Sequence, residues 1–571
     1  MNRADSIARL KARPAMSVLV IGGGINGISV YRELALNGVD VVLAEKSDFC
    51  SGASAALSRM VHGGLRYLEN GEFKLVRESL LERDRLLQNA PHFVAPLPTT
   101  VPIFDTFSGL LNGAFRFLGL TRQPARRGAV VIKAGLTLYD LFTGGRRALP
   151  AHEFRSRGAT LKRWPALNPA VTASATYFDA WVSRPERLGI EMLRDAAGDN
   201  AIALNHAEIA REAGGLVLRD RIDGTTVPIA PQLIVNATGG WIDLTNAAIG
   251  ASNAPMLGGT KGSHLVVANA ELTRALDGHM VYYENEDGRI CIVFPYLGNV
   301  LVGSTDIRVD DPDSVRCDDD ERDYILASLA QVFPTIRVAH DEIVFRFAGV
   351  RPLPASADSI TGRIPRDHFC QMVEGAIPTL CMIGGKWTTF RSFGALAADM
   401  VLERLELVRT ADTEDLPIGG GRDFPADPGA WSAKVAADTG VAPGRVAELL
   451  ERYGTGAKPV AIEIGSGSDQ PIPGTSYSRR EIDHLIRTEH VETLCDLLLR
   501  RTTIAITGAL SMAAIDATLA QLGQLKGWDA ARRAAARAAC LSELADRHGL
   551  DEATLISRNP GTAEWQTTKS A

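Results

Sequence analysis

The feature that most constrains the fold is a glycine-rich turn between a strand and a helix. Residues 17–21 are a short apolar run rich in β-branched side chains, Gly22-Gly23-Gly24-Ile25-Asn26-Gly27 follows, and a helical pattern then extends to Asn37-Gly38. A second strand-like segment, residues 40–44, ends at Glu45. Such runs suit buried parallel strands, so the pattern predicts one β-α-β unit. Gly22, Gly24 and Gly27 permit a tight turn and let the backbone approach a pyrophosphate at the helix N-terminus, and Asn26 belongs to the same binding turn. Glu45, 21 residues beyond Gly24, can accept hydrogen bonds from a ribose diol. An acid there favours NAD or FAD over NADP, and the loop alone leaves those two open.

The remainder of the chain narrows the class. At ~150 residues per domain, 571 residues predict three to four domains. With 46% hydrophobic and 22% charged residues the chain is neither disordered nor a small disulfide scaffold. Lys and Arg total 61 against 67 Asp and Glu, a net charge of -6, which argues against nucleic acid as a partner. The seven cysteines are scattered, odd in number and without a CxxC pair, pointing to a reducing compartment and no structural zinc. HExxH, Cys/His clusters and acidic metal constellations are absent, so no metal is expected, and no nucleophile elbow marks a serine hydrolase. No apolar run reaches the ~18 residues of a spanning helix, and the N-terminal residues lack a secretory h-region.

Along the chain, residues 73–88 read as a helix and residues 97–142 are rich in Phe, Leu and Gly. A buried strand at 232–236 enters Ala237-Thr238-Gly239-Gly240-Trp241, strand-like segments dominate 263–303, and another strand at 378–383 precedes Gly384-Gly385-Lys386. After the linker Leu416-Pro417-Ile418-Gly419-Gly420-Gly421 the pattern is almost entirely helical. The expected organisation is an oxidoreductase region over 14–408, a helical domain over 409–557, and a frayed tail over 558–571.

The segment from Ser51 through His62-Gly63-Gly64-Leu65-Arg66-Tyr67-Leu68-Glu69 resembles the flavin-proximal region of FAD-dependent glycerol-3-phosphate dehydrogenases. Asn236–Trp241, Lys261–His264, Gly303-Ser304-Thr305-Asp306, Gly349-Val350-Arg351-Pro352-Leu353 and Gly384-Gly385-Lys386-Trp387-Thr388-Thr389-Phe390-Arg391 resemble that family in the same order. The likeness spans nearly the whole chain, more weakly around Leu499-Arg500-Arg501-Thr502. There are departures: Leu57-Ser58-Arg59-Met60-Val61 stands where the family reads Ser-Ser-Lys-Leu-Ile, Trp387 and Phe390 replace Leu and Tyr, and the Phe/Leu-rich stretch after residue 100 is unlike the family.

The resemblance implies an α/β fold: a glutathione-reductase-like FAD-binding Rossmann domain, an interleaved β-rich substrate cap and a C-terminal all-α domain. It implies FAD held by Gly22, Gly24, Asn26, Gly27, Glu45, Ser54, Ser58, His62, Gly63, Gly64, Thr238, Gly239, Gly385, Lys386 and Thr388. The implied reaction is oxidation of sn-glycerol 3-phosphate to dihydroxyacetone phosphate, with electrons passing to a quinone or another acceptor. Arg66, Arg351 and Arg366 are the implied anchors for a dianionic phosphate, a task suited to the guanidinium fork. Arg363 lies near enough in sequence to compete with Arg366. Tyr67, Thr305 and Asp306 complete the implied substrate set, and Lys386 either stabilises negative charge at the flavin or holds a substrate oxygen. His264 is the preferred general base, with His62 its rival.

Residues 103–120 place Phe104, Phe107, Leu111, Phe115 and Leu118 at helical spacing, with Arg122, Arg126, Arg127 and Lys133 following. That pattern suits contact with an anionic membrane surface, and a buried cap helix or a subunit interface is the alternative. The expectation is a cytoplasmic homodimer at the inner face of the membrane. Erythritol 4-phosphate is the competing substrate, and a non-catalytic flavin-binding redox sensor or scaffold is the reading from another class.

Overall fold

The computed structural model describes residues 3–64, 72–105, 133, 136–137, 149–252, 254–355 and 367–561. Ala15–Ile21 lies at the centre of a mainly parallel sheet whose order is His368–Val373, Thr379–Gly384, Thr226–Asn236, Ala15–Ile21, Val41–Ala44, Ala201–Leu204. Val20 pairs with Leu43 on one side and Val235 on the other, so the central strand is buried on both faces and is apolar at successive positions. The helices Ile25–Leu36 and Phe390–Arg404 cover one face. They approach closely because Gly394 has no side chain: a Cβ there would lie 2.2 Å from Ser29 Oγ.

A second, largely antiparallel sheet forms the cap. Thr260–Val267 pairs with Asn299–Gly303 on one edge and with Ile343–Arg351 on the other. Arg351 is the last residue of that strand. The helix Asp319–Val332 begins with an Asp318/Glu321 capping box and packs its apolar face on the cap sheet.

The C-terminal helices, from Pro428–Thr439 to Glu552–Ser557, share one continuous core with cap residues Val344, Phe345 and Phe347. The linker before them is clamped, since the Gly419 and Gly420 N–H groups donate to Asp195 (3.0 Å) and Glu191 (2.9 Å) of the helix Pro185–Asp195. The tail expected to fray from residue 558 is anchored at its start. Arg558 is buried and donates to the Val344 carbonyl, and Asn559 Oδ1 accepts from Ala513 N–H at 2.8 Å. Among the described residues no helix is long and apolar enough to cross a membrane.

Candidate functional site

The glycine turn is built around close backbone contacts. Gly22 has φ +106°, and a Cβ there would meet the Ala237 carbonyl oxygen at 2.7 Å, while a Cβ at Gly27 would lie 1.9 Å from the Gly22 carbonyl oxygen. Gly24 caps the helix Ile25–Leu36, and Ile25 N–H at its first turn donates to Ser54 Oγ at 2.8 Å. Glu45 accepts from Gly23 N–H (2.6 Å) and Ser47 N–H (2.8 Å), and burial raises its pKa against the effect of those two bonds. Asn26 Oδ1 is buried with no hydrogen-bond partner among the described residues, and its amide abuts Gly385, which has φ +96°. A glycine cradle at a helix N-terminus fits the pyrophosphate of a dinucleotide, and the unanswered Asn26 acceptor fits a hydroxyl donor such as a ribose.

Thr238 lies against this cradle, its Cα 2.9 Å from where a Cβ on Gly22 would stand. Thr238 donates through N–H and Oγ to Asn236 Oδ1, which sets the turn in which Gly239 takes φ +59°. His62 N–H donates to Thr388 Oγ1 at 3.3 Å, joining the segment 58–64 to the turn after Lys386. Gly63 N–H donates to Asp179 at 3.1 Å, and Gly64 has φ +79°. Lys386 Nζ donates to Ser79 Oγ at 3.3 Å, from the helix Phe73–Asn89. Ser58 is half-buried beside Arg59.

On the cap sheet, two missing side chains decide the geometry. Gly262 and His264 alternate on one face of their strand, opposite Gly349 and Phe347. A Cβ at Gly262 would lie 2.0 Å from Arg351 Nη2, and one at Gly303 would lie 2.3 Å from His264 Cδ2. The Arg351 guanidinium therefore lies over Gly262 and the imidazole over Gly303, on the same face. Gly349 brings this face against the segment 53–56, since a Cβ there would meet Ala56 Cβ at 2.6 Å. Arg351 donates to Asp306 Oδ1 (2.9 Å), the Thr305 carbonyl (3.1 Å) and the Lys261 carbonyl (3.2 Å). Asp306 is thus the ion-pair partner of Arg351 among the described residues.

His264 is buried, and neither ring nitrogen has a partner among the described residues. Burial first, then the Arg351 and Arg59 charges, lowers its pKa to about 3, so the ring is neutral. Thr305 is oriented differently from Asp306. Its hydroxyl accepts from Ser263 N–H (2.9 Å) and donates to buried Glu321 (2.6 Å), so it buttresses the strand end. Arg66, Tyr67 and Arg366 lie outside the described residues.

Two residues were missed as site residues. Arg59 was noted only as a departure from the family pattern. It is buried at φ +58°, pairs with Glu186 at 2.8 Å and lies over the Tyr296 and Phe347 rings. Glu321 caps the helix Asp319–Val332 and braces Thr305. Arginine in a small-residue segment was the available signal for the first; the second had none. Among the described residues, Asp48, His206 and Asp496 come close enough to share a cation, as do Glu78, Asp367 and His368. In the first group Arg500 and Arg501 already supply the compensating charge.

Residues 17–391 match the FAD dependent oxidoreductase family, and residues 411–533 match the C-terminal domain of alpha-glycerophosphate oxidase. The chain is 32% identical over 554 residues to a glycerol-3-phosphate dehydrogenase of Synechocystis, covering 90% of this chain and 93% of that one. It is 31% identical over 502 residues to a D-erythritol 1-phosphate dehydrogenase of Brucella abortus, covering 85% and 93%. The fold matches the crystal structure of a Bacillus halodurans glycerol-3-phosphate dehydrogenase complexed with FAD. The TM-score is 0.74 at 23% identity, over 96% of this chain and 98% of that one.

Proposed function

The chain belongs to the family of FAD-dependent glycerol-3-phosphate dehydrogenases, and from that premise we propose that it oxidises sn-glycerol 3-phosphate to dihydroxyacetone phosphate. FAD, when bound, accepts the hydride lost from the secondary carbon. The observation that carries the proposal is the shared face of Arg351 and His264 turned toward the segment 53–56, beside the dinucleotide cradle.

In this reading Arg351 binds the anionic end of the substrate, together with Arg66 and Arg366. Asp306 keeps the guanidinium oriented and Thr305, through Glu321, keeps the strand end rigid. His264 offers an unprotonated ring nitrogen to the substrate hydroxyl. A phosphate dianion arriving at Arg351 offsets the cation that depresses the imidazole's basicity, so proton acceptance is coupled to correct binding. His62 holds the segment 58–64 through its backbone. Lys386, tethered by Ser79, supplies a cation that stabilises negative charge at the flavin or holds a substrate oxygen.

We further propose a quinone or comparable acceptor, a homodimer, and membrane-surface contact through residues 103–120, almost all outside the described residues. The Brucella relative favours one second reading, the same chemistry on an erythritol phosphate. The deciding experiment is anaerobic bleaching of the flavin absorbance with the two polyol phosphates in parallel. Faster bleaching by glycerol 3-phosphate supports the proposal, faster bleaching by the four-carbon compound replaces the substrate, and bleaching by neither returns the sensor reading.

A further inference from the structure

Asp48 lies three residues beyond Glu45, in the loop that ends at Ser54, and its carboxylate is buried. It accepts a bidentate pair from Arg501, Nη1 to Oδ2 at 2.6 Å and Nη2 to Oδ1 at 2.7 Å. It also accepts from Arg500 Nε, and from Asn205 Nδ2 at 2.8 Å. Arg500 and Arg501 belong to the helical C-terminal region, and Arg501 is 453 positions away in the chain. Burial opposes the charge on Asp48, but Arg501 and Arg500 together hold its carboxyl below the usual range.

The neighbouring residues carry this anchor to the glycine turn. Phe49 meets the His490 ring edge-on at 5.5 Å, and Arg501 donates to the His490 carbonyl at 3.1 Å. On its other side Phe49 lies against Gly23, where a Cβ would come within 2.6 Å of the ring. Cys50 N–H donates to the Gly23 carbonyl at 2.9 Å, and Gly23 N–H donates to Glu45. Asp496 extends the cluster by accepting from His206 at 3.0 Å, and His206 N–H donates to the Ser47 carbonyl at 2.6 Å.

We propose that the Arg501–Asp48 pair is a positioning device through which the C-terminal helical domain holds the loop from Glu45 to Ser54 in its FAD-binding shape. FAD retention then depends on side chains that lie behind the loop. A bidentate, buried pair fixes direction as well as distance, and without Arg501 the remaining bonds from Arg500 and Asn205 cannot reproduce the two-pronged geometry. The proposal rests on the flavin reading above.

The test uses full-length holoenzyme. FAD release is followed by recovery of flavin fluorescence on dilution, with unfolding temperature measured by circular dichroism on the same samples. Asp48→Asn and Arg501→Lys should each release FAD on the order of tenfold faster at temperatures where the chain stays folded. The double variant should be no faster than the worse single one, because both remove the same contact. Arg452→Lys serves as control: Arg452 pairs with buried Glu481 inside the helical domain (2.9 and 3.0 Å), so it should lower the unfolding temperature and leave FAD release unchanged. If either single variant fails to fold, the other decides. Loop variants that lose stability yet release FAD at the parental rate overturn the proposal alone. A parental chain that carries no FAD overturns the flavin reading and this proposal with it.

Discussion

The His264 imidazole stacks on the Phe347 ring, centroids 5.2 Å apart and planes 14° from parallel, across a strand pair in which the two residues are directly opposite. The ring is thus held by packing, and Gly303 leaves it room. Its environment favours the neutral form, by burial and then by the charges of Arg351 and Arg59.

That neutrality has a measurable consequence for stability. The folded-state pKa is about 3, below the ~6.5 of an unperturbed histidine, so between these values the unfolded chain binds a proton that the folded chain refuses. This contribution is present above pH ~6.5 and is lost as pH falls toward 3. Thermal unfolding followed from pH 7 to pH 4 should therefore decline less steeply in His264→Gln than in the parental chain. Equal slopes would show that His264 titrates normally.

His264→Asn should retain bound FAD, because none of the cradle contacts runs through this ring. Its rate of anaerobic flavin bleaching by glycerol 3-phosphate should fall by roughly 10²–10⁴-fold, the range for loss of a general base. The same loss in His62→Asn, with His264→Asn unaffected, would transfer the role to His62.

Arg351→Ala should raise the half-saturating substrate concentration by about 10- to 100-fold, as expected for loss of charge-assisted hydrogen bonds of ~1.5–3 kcal/mol. The flavin spectrum should be unchanged, and Arg351→Lys should recover only part, since an ammonium cannot reproduce the fork that reaches Asp306 and Thr305 together. Titration of bleaching against substrate reads both variants, and a parental half-saturation in Arg351→Ala would remove the residue from the site.

Gly27→Ala should abolish FAD binding. The added methyl would lie 1.9 Å from the Gly22 carbonyl, so the turn must open and the helix N-terminus must retreat from the pyrophosphate. Flavin content of the purified variant, measured after reconstitution with excess FAD, checks this; full occupancy contradicts it.

Deleting residues 104–118 should reduce sedimentation with anionic vesicles while leaving FAD bound. The apolar and cationic pattern there supplies both adhesive contributions. Unchanged sedimentation would assign the segment to the cap or to a subunit contact.

The dinucleotide cradle was legible in the sequence because its constraints are local. A strand, three glycines, a helix start and an acid at the next strand end lie within residues 17–45, and each requirement falls on one residue at a fixed spacing. The substrate face was legible only as a set of family-like segments. That Arg351 and His264 share a face follows from the register of two strands about eighty residues apart and from the absence of side chains at Gly262 and Gly303. Nothing local marks those glycines as space for a neighbour's ring or guanidinium. Arg501 on Asp48 is the extreme case: two charged residues in unrelated segments, each unremarkable alone, become one buried pair only when the C-terminal helices close on the cap and the loop after Glu45. Local pattern determines which backbone can form; which distant side chains meet in a site excluded from water is decided by tertiary packing, because the energy of that meeting exists only once both have left solvent.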